Sequence, residues 1–208
     1  MEKIKIELAV GENRRELEGY KTIGIDIIPG NNVDIVANLG FEKIQLEDNS
    51  VNLCQAIDFL EHLPRCVWIE KYSKEAIKNE ILAEHINDTT INDKIYKKYV
   101  ERQTPFIFLM NEVYRVLKHN SMFIIETPFS DQAFRRDPTH VNHLSEDWYH
   151  YFSKIDNLYF NQGLVTCNFK LSSQEFRKYR WTDKDIMHTE LIAIKKDENV
   201  DENYEPLI

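Results

Sequence analysis

The sequence predicts an α/β protein with a seven-stranded, mostly parallel sheet that ends in an antiparallel hairpin. Three observations carry this. Short apolar runs end at turn residues, segments with helical spacing separate several of them, and two late apolar runs have little helix between them. Strands that alternate with helices imply a parallel sheet covered on both faces.

Residues 4–10 (IKIELAV) alternate and then run apolar up to Gly11, the pattern of a buried first strand. Residues 12–20 leave room for barely two helical turns before a second run at 22–28 (TIGIDII). Pro29, Gly30, Asn31 and Asn32 form a turn before the third run at 33–37, and residues 47–50 (EDNS) form another before the fourth at 51–57. Between 65 and 104 the spacing of Trp68, Ile69, Tyr72, Ile77, Ile81 and Leu82, then Ile95, Tyr96 and Tyr99, predicts two amphipathic helices joined by a polar turn. Pro105 opens an apolar helix over 106–118, and residues 122–127 form a fifth strand closed by Pro128. A mixed loop, 129–150, precedes the late strands at 164–171 and 190–194. Residues 196–208 form an acidic, solvated tail, which leaves 1–195 as a single domain.

The chain has 208 residues, 42% hydrophobic and 29% charged, enough apolar surface for a sizeable core. Its net charge of −9 opposes broad attachment to nucleic acid or anionic lipid. The start, MEKIKIELAV, does not read as a secretion signal, and no run is long enough to span a membrane. Three cysteines without a CxxC fit reduced thiols in a cytoplasmic protein, with Cys54, Cys66 and Cys167 as small core residues.

In an open parallel sheet, ligands bind beyond the carboxyl ends of the strands, where strand order reverses. Gly11 ends the first strand there and Asp26 the second; a glycine lets a ligand approach the backbone, and a carboxylate one strand over can accept both hydroxyls of a ribose. Either alone is also an ordinary turn with a capping aspartate.

The order Gly11, Asp26, residues 48–52 (DNSVN), residues 59–63 (FLEHL) and residues 112–118 (EVYRVLK) resembles the small class I S-adenosylmethionine-dependent methyltransferases. The loop at 137–141 (DPTHV) resembles a subgroup with such a segment after strand five. The resemblance covers roughly residues 4–63 and 106–152, and it implies a Rossmann-like three-layer sandwich with a helical insertion at about 65–104. It also implies cofactor contacts. Ala9, Val10 and Gly11 occupy the loop beside the methionine part of S-adenosylmethionine; Asp26 takes the ribose hydroxyls and Ile27 lies beside the adenine. Asn38 and Leu39 follow strand three, where the asparagine oxygen can accept the adenine amino hydrogen. Ile57 and Asp58 close strand four near the cofactor ammonium, with His62 just beyond. Two departures stand out: Ala9 replaces the family's first glycine, and residues 119–121 (HNS) stand where Pro-Gly-Gly is common, although Asn tolerates the left-handed conformation.

Loss of a proton from the methyl acceptor calls for a base. His140 is the candidate, with Asp137 to orient it and His143 in reserve; the competing reading is a turn in which Asp137 caps the backbone and His140 packs on an aromatic ring. No metal is expected: Asp137, His140 and His143 recur at ligand-like intervals, but Pro138 prevents a regular helix through them. Two basic clusters, Arg135 with Arg136 and Arg177 with Arg180, suit an anionic group on a substrate or are solvated loops.

The expected function is methyl transfer from S-adenosylmethionine to oxygen or nitrogen of a small metabolite or sugar derivative, one bearing phosphate or carboxylate if the basic clusters contact it. Alternatives are methylation of nucleic acid or protein, and a non-catalytic binding module on the same scaffold. Residues 65–102 nearly balance their charges, so the insertion offers no cationic surface for nucleic acid. It reads as a lid, a homodimer arm, or helices packed on their own domain.

Overall fold

Four consecutive residues of the first strand, Lys5, Ile6, Glu7 and Leu8, are buried, which places that strand in the middle of a sheet covered on both sides. The computed structural model describes residues 2–70, 100–154, 163, 165–180 and 185–195. In chain order the elements are β1 (Lys3–Leu8), β2 (Tyr20–Asp26), β3 (Ile35–Val36), β4 (Val51–Ile57), a 3-10 turn at Leu60–His62, β5 (Val67–Glu70), β6 (Val100–Gln103), α1 (Pro105–Val116), β7 (Leu117–Pro128), α2 (Asp131–Arg135), a second 3-10 turn at Trp148–Phe152, β8 (Phe169–Arg177) and β9 (Ile186–Ala193).

The main sheet has the order β3-β2-β1-β4-β7-β9-β8. Its strands run parallel from β3 to β7, and β9 runs antiparallel to both of its neighbours. This is the expected seven-stranded sheet with its antiparallel hairpin. β8 starts five residues later than its expected apolar run and β9 four residues earlier, so Arg177 ends β8 and Asp185 immediately precedes β9. Strand order reverses between β1 and β4, which sets a crevice at the carboxyl ends of those two strands.

α1 forms because Phe106, Leu109, Met110, Val113 and Val116 recur every three or four residues and Pro105 presets its first turn. All five side chains enter the core shared with Ile6, Leu8, Phe123 and Ile125. Trp148, tilted, and Phe152, edge to face, pack on Phe106 at centroid distances of 5.8 and 5.4 Å and fix the end of the loop that follows α2.

The other face of β1 is built differently. Residues 11–19 carry one apolar side chain, Leu17, and have no stripe with which to cover the sheet as a helix; among the described residues they are turns and loop. Their cover is ionic. Glu7 accepts from Arg15 through the backbone amide at 2.8 Å and the guanidinium at 2.6 Å, and Lys5 pairs with Glu7 at 3.5 Å. The helical layer on this side is accordingly thin.

The expected helices of the insertion require a correction at its two ends. Residues 67–70 and 100–103 are strands, β5 and β6, paired antiparallel, so Trp68 and Ile69 sit on a ribbon and not on a helix. Four residues are too few for a helical period to be told from strand alternation. The interior at 71–99, Leu164, Trp181 and the acidic tail lie outside the described residues.

The segments that suggested the fold also hold it together. Arg115 donates to the Ile44 and Leu46 carbonyls at 2.8 and 2.9 Å, to Asp48 Oδ1 at 2.6 Å and to Glu112 Oε2 at 2.8 Å, while Glu112 Oε2 accepts the Ile44 amide. The sequence 112–118 thus clamps the connection between β3 and β4. Arg115→Ala leaves those carbonyls and the buried Glu112 without their donor, and is expected to cost about 1–3 kcal/mol, read as a lower urea midpoint at unchanged slope. Asn120, where glycine is common, has φ 60° within the register shift between β4 and β7. Cys54 and Cys167 are buried as expected, and Cys66 is half-buried.

Candidate active site

The backbone turns sharply where β1 and β4 end. Ala9 (φ 51°), Gly11 (φ 55°) and Asp58 (φ 50°) all occupy the left-handed region, which side chains other than glycine's rarely adopt. Strain of this kind concentrates at ligand sites. A Cβ placed on Gly11 would meet nothing within 4 Å, so the glycine serves backbone conformation and leaves open space beside the loop.

Asp26 ties the crevice together. Its Oδ2 accepts the Gly11 amide at 3.0 Å and its Oδ1 accepts the Ile28 amide at 3.0 Å. Beside it lies a cavity of about 200 Å³ lined by Ala9, Asp26, Ile27, Asn38, Leu39 and His62, together with Ala37, Phe41, Phe59, Leu63 and Pro64. Six of the cofactor residues expected from the sequence therefore meet at one cavity. Phe41 and Phe59 supply its aromatic surface and were not anticipated, since a lone aromatic near a turn looks like core. Val10 is buried, its amide bonded to the Ile25 carbonyl, and Ile57 lies within β4. Asp58 sits one residue on; burial and the Glu126 carboxylate push its carboxyl up, and Arg136, Arg15 and His140 oppose that.

The loop at 137–143 is sewn onto the 3-10 turn at Leu60–His62. The Val141 and Asn142 amides both donate to the Glu61 carbonyl, at 2.8 and 2.9 Å. Arg65 donates to Asn142 Oδ1 at 2.7 Å and to the His143 carbonyl at 2.8 Å. This brings His140 against His62, with ring centroids 4.8 Å apart and edge to face. His140 Nδ1 is 2.6 Å from the Phe134 carbonyl, which can only accept, so Nδ1 carries the proton and Nε2 keeps a lone pair. That Nε2 lies 3.8 Å from Glu61 Oε1. Glu61 is fully buried, both of its carboxylate oxygens lack a hydrogen-bond partner among the described residues, and burial raises its pKa to about 8.

Asp137 does not orient His140 directly. Its Oδ1 accepts the Thr139 amide at 2.8 Å and the Thr139 hydroxyl at 2.6 Å, capping the turn, and the same hydroxyl oxygen lies 3.0 Å from His62 Nδ1. With its hydrogen given to Asp137, Thr139 Oγ1 accepts from His62 Nδ1. Burial and the neighbouring His140 hold His62 below its usual range, so it stays neutral. His143 stands apart: Nε2 bonds the Phe129 carbonyl at 2.6 Å and its ring stacks on Phe134 at 4.6 Å.

The four arginines separate. Arg135 forms an exposed pair with Asp131 at 3.5 Å on α2, a solvated arrangement of little energetic weight. Arg136 lies over the Tyr179 ring at 5.6 Å and acts on Asp58. Arg177 is held by Glu126 at 2.7 Å and Glu175 at 3.5 Å, and the Arg180 amide donates to the buried Asp185 at 2.7 Å. Arg136, through Asp58, and Arg177, through Glu126, lie toward the strand ends.

No family profile matches the chain, and no curated protein does. Solved structures do. The chain is similar to the N-methyltransferase NodS from Bradyrhizobium japonicum, with 10% identity over 93% of this chain and 86% of that one at a TM-score of 0.50. Matches at lower TM-scores include S-adenosylmethionine-dependent methyltransferases from Methanosarcina mazei (12% identity, 93% of each chain, 0.49) and Archaeoglobus fulgidus (13%, 91% of this chain and 86% of that one, 0.48). The chain has the Rossmann-like fold of class I S-adenosylmethionine-dependent methyltransferases. Among the described residues, no helix is long and apolar enough to cross a membrane.

Proposed function

We propose that the protein is an S-adenosylmethionine-dependent methyltransferase acting on oxygen or nitrogen of a small acceptor. The observation that carries the reading is the convergence of Ala9, Asp26, Ile27, Asn38, Leu39 and His62 on one cavity at the reversal of strand order. The residues present fit the cofactor. A carboxylate faces the cavity for the ribose hydroxyls, apolar Ile27 and aromatic Phe41 and Phe59 suit an adenine ring, and the open space beside Gly11 admits a ligand to the backbone. At about 200 Å³ the cavity suits the nucleoside portion, and the ends of β1 and β4 remain for the amino-acid portion.

S-adenosylmethionine supplies an electrophilic methyl group on a sulfonium and leaves as the neutral thioether once the acceptor has taken that methyl. Asp26 and the 9–11 loop hold the donor, and much of the rate comes from holding the acceptor in line. Glu61, His62 and His140 border the cavity through His62 and manage the acceptor's proton. Arg136, beside Asp58, favours an acceptor bearing phosphate or carboxylate.

Thermal unfolding tests this. At about 100 times its dissociation constant, S-adenosylmethionine should stabilise the protein by about 2.7 kcal/mol, a rise of roughly 5–10 °C in Tm for a domain of this size. Asp26→Ala should remove most of that rise; an unchanged Tm with the wild type would sink the reading.

A further inference from the structure

We propose that Glu61, His62 and His140 form a binding site for a first-row divalent transition-metal ion at the edge of the cofactor crevice. One carboxylate oxygen of Glu61 and one ring nitrogen from each histidine lie within 4.8 Å of one another. Two imidazoles and a carboxylate form a donor set that suits zinc, cobalt, iron or manganese better than calcium, which takes oxygen ligands.

The strongest pointer is Glu61. A fully buried carboxyl group with neither oxygen hydrogen-bonded among the described residues is a costly feature that calls for a partner, and the His62 and His140 rings lie beside it. With Nδ1 turned to the Phe134 carbonyl, His140 aims its other ring nitrogen, Nε2, at Glu61 Oε1 from 3.8 Å, too long for a hydrogen bond and short enough for both atoms to reach one ion. Donors that share a tetrahedral ion at about 2.0–2.1 Å lie about 3.3–3.4 Å apart, so the 3.8 Å pair must close by roughly 0.4 Å and the widest separation by up to roughly 1.4 Å.

The outer hydrogen bonds point the same way. A metal-bound histidine usually donates its other ring N–H to a carbonyl or carboxylate, which fixes its tautomer and orientation. His140 does so to the Phe134 carbonyl, and His62 does so through Thr139 to Asp137. On this account the 137–140 segment contributes one ligand and the support of another. Three protein ligands leave coordination open for water or the acceptor, whose bound hydroxyl would lose its proton more readily. The inference rests on the methyltransferase reading for that last step only; the binding of metal does not depend on it.

Co²⁺ is the probe. Full-length protein stripped with a chelator and titrated with Co²⁺ should develop visible d–d absorption that saturates at one equivalent and is displaced by Zn²⁺. Glu61→Gln and His140→Ala, checked for native circular dichroism, should each weaken binding at least 10-fold, and Asp137→Ala about 10-fold through the lost support of His62. Absence of one-equivalent binding by the wild type, or affinity unchanged in both ligand variants, would overturn the proposal. The S-adenosylmethionine-induced rise in Tm, measured on the same samples, separates the two readings: metal binding without that rise contradicts the methyltransferase alone, and the rise without metal binding contradicts the metal site alone.

Discussion

His140→Ala is expected to lower turnover by about 100- to 10,000-fold, the usual contribution of a group that manages a proton in the reaction, while leaving S-adenosylmethionine affinity within about threefold, the margin expected when a residue acts mainly in the transition state. The geometry separates the two effects. His140 is absent from the lining of the cavity beside Asp26, and its Nε2 faces Glu61. The variant removes the lone pair whether that lone pair takes a proton or holds a metal ion. Release of S-adenosylhomocysteine in the presence of phosphate- and carboxylate-bearing metabolites gives the rate, and calorimetry gives the affinity. Equal losses in both would refute the role, since they would show that His140 shapes the cofactor cavity. His143→Ala is the contrasting variant: its ring binds Phe129 and Phe134, and turnover should fall far less.

Glu7→Ala should destabilise the fold by about 3–5 kcal/mol, because it strands a buried lysine ammonium. Lys5 and Glu7 are 2% and 1% exposed, so water cannot replace the lost partner. Glu7 also accepts the Arg15 amide and guanidinium, so the loop at 11–19 loses one of its anchors together with the charge pair, while Gly11 stays bonded to Asp26 and Arg14 to Asp34. The double variant Lys5→Met/Glu7→Leu distinguishes the two consequences. Replacement of a buried ion pair by apolar side chains is often close to neutral for stability, so the urea midpoint should largely recover. Cofactor affinity should recover less, since Arg15 would still lack its carboxylate partner even though Asp26 keeps the Gly11 amide. A double variant as unstable as Glu7→Ala would show that packing on β1, not the stranded charge, sets the cost.

The legible parts of the structure were the local ones. Apolar runs ending at turns located the parallel strands of the main sheet, and the spacing of Phe106, Leu109, Met110, Val113 and Val116 defined α1, whereas the hairpin strands were displaced because β8 is largely polar. Gly11 and Asp26 could be placed because strand ends in a parallel sheet collect on one edge, and Asn38 through the family resemblance. What failed depended on distance along the chain or on charge. Thr139 and His62 are 77 residues apart and meet only because backbone amides of the 141–142 segment bond to Glu61, a contact with no local pattern. Glu61 therefore looked like part of a turn, and Asp137, adjacent in sequence, looked like the better companion for His140. Glu7 was overlooked because an acidic residue alternating with apolar ones looks like a solvated face, whereas Arg15 and Lys5 allow its burial. Residues 67–70 carried too few positions to reveal a strand.

Calorimetric titration of the purified wild type with S-adenosylmethionine tests the central claim most directly. Measured at two temperatures, so that a vanishing enthalpy at one cannot hide binding, it should show a single site and a loss of affinity of at least 10-fold in Asp26→Ala, equivalent to about 1.4 kcal/mol. No heat at either temperature, or a wild-type isotherm reproduced by Asp26→Ala, would contradict it.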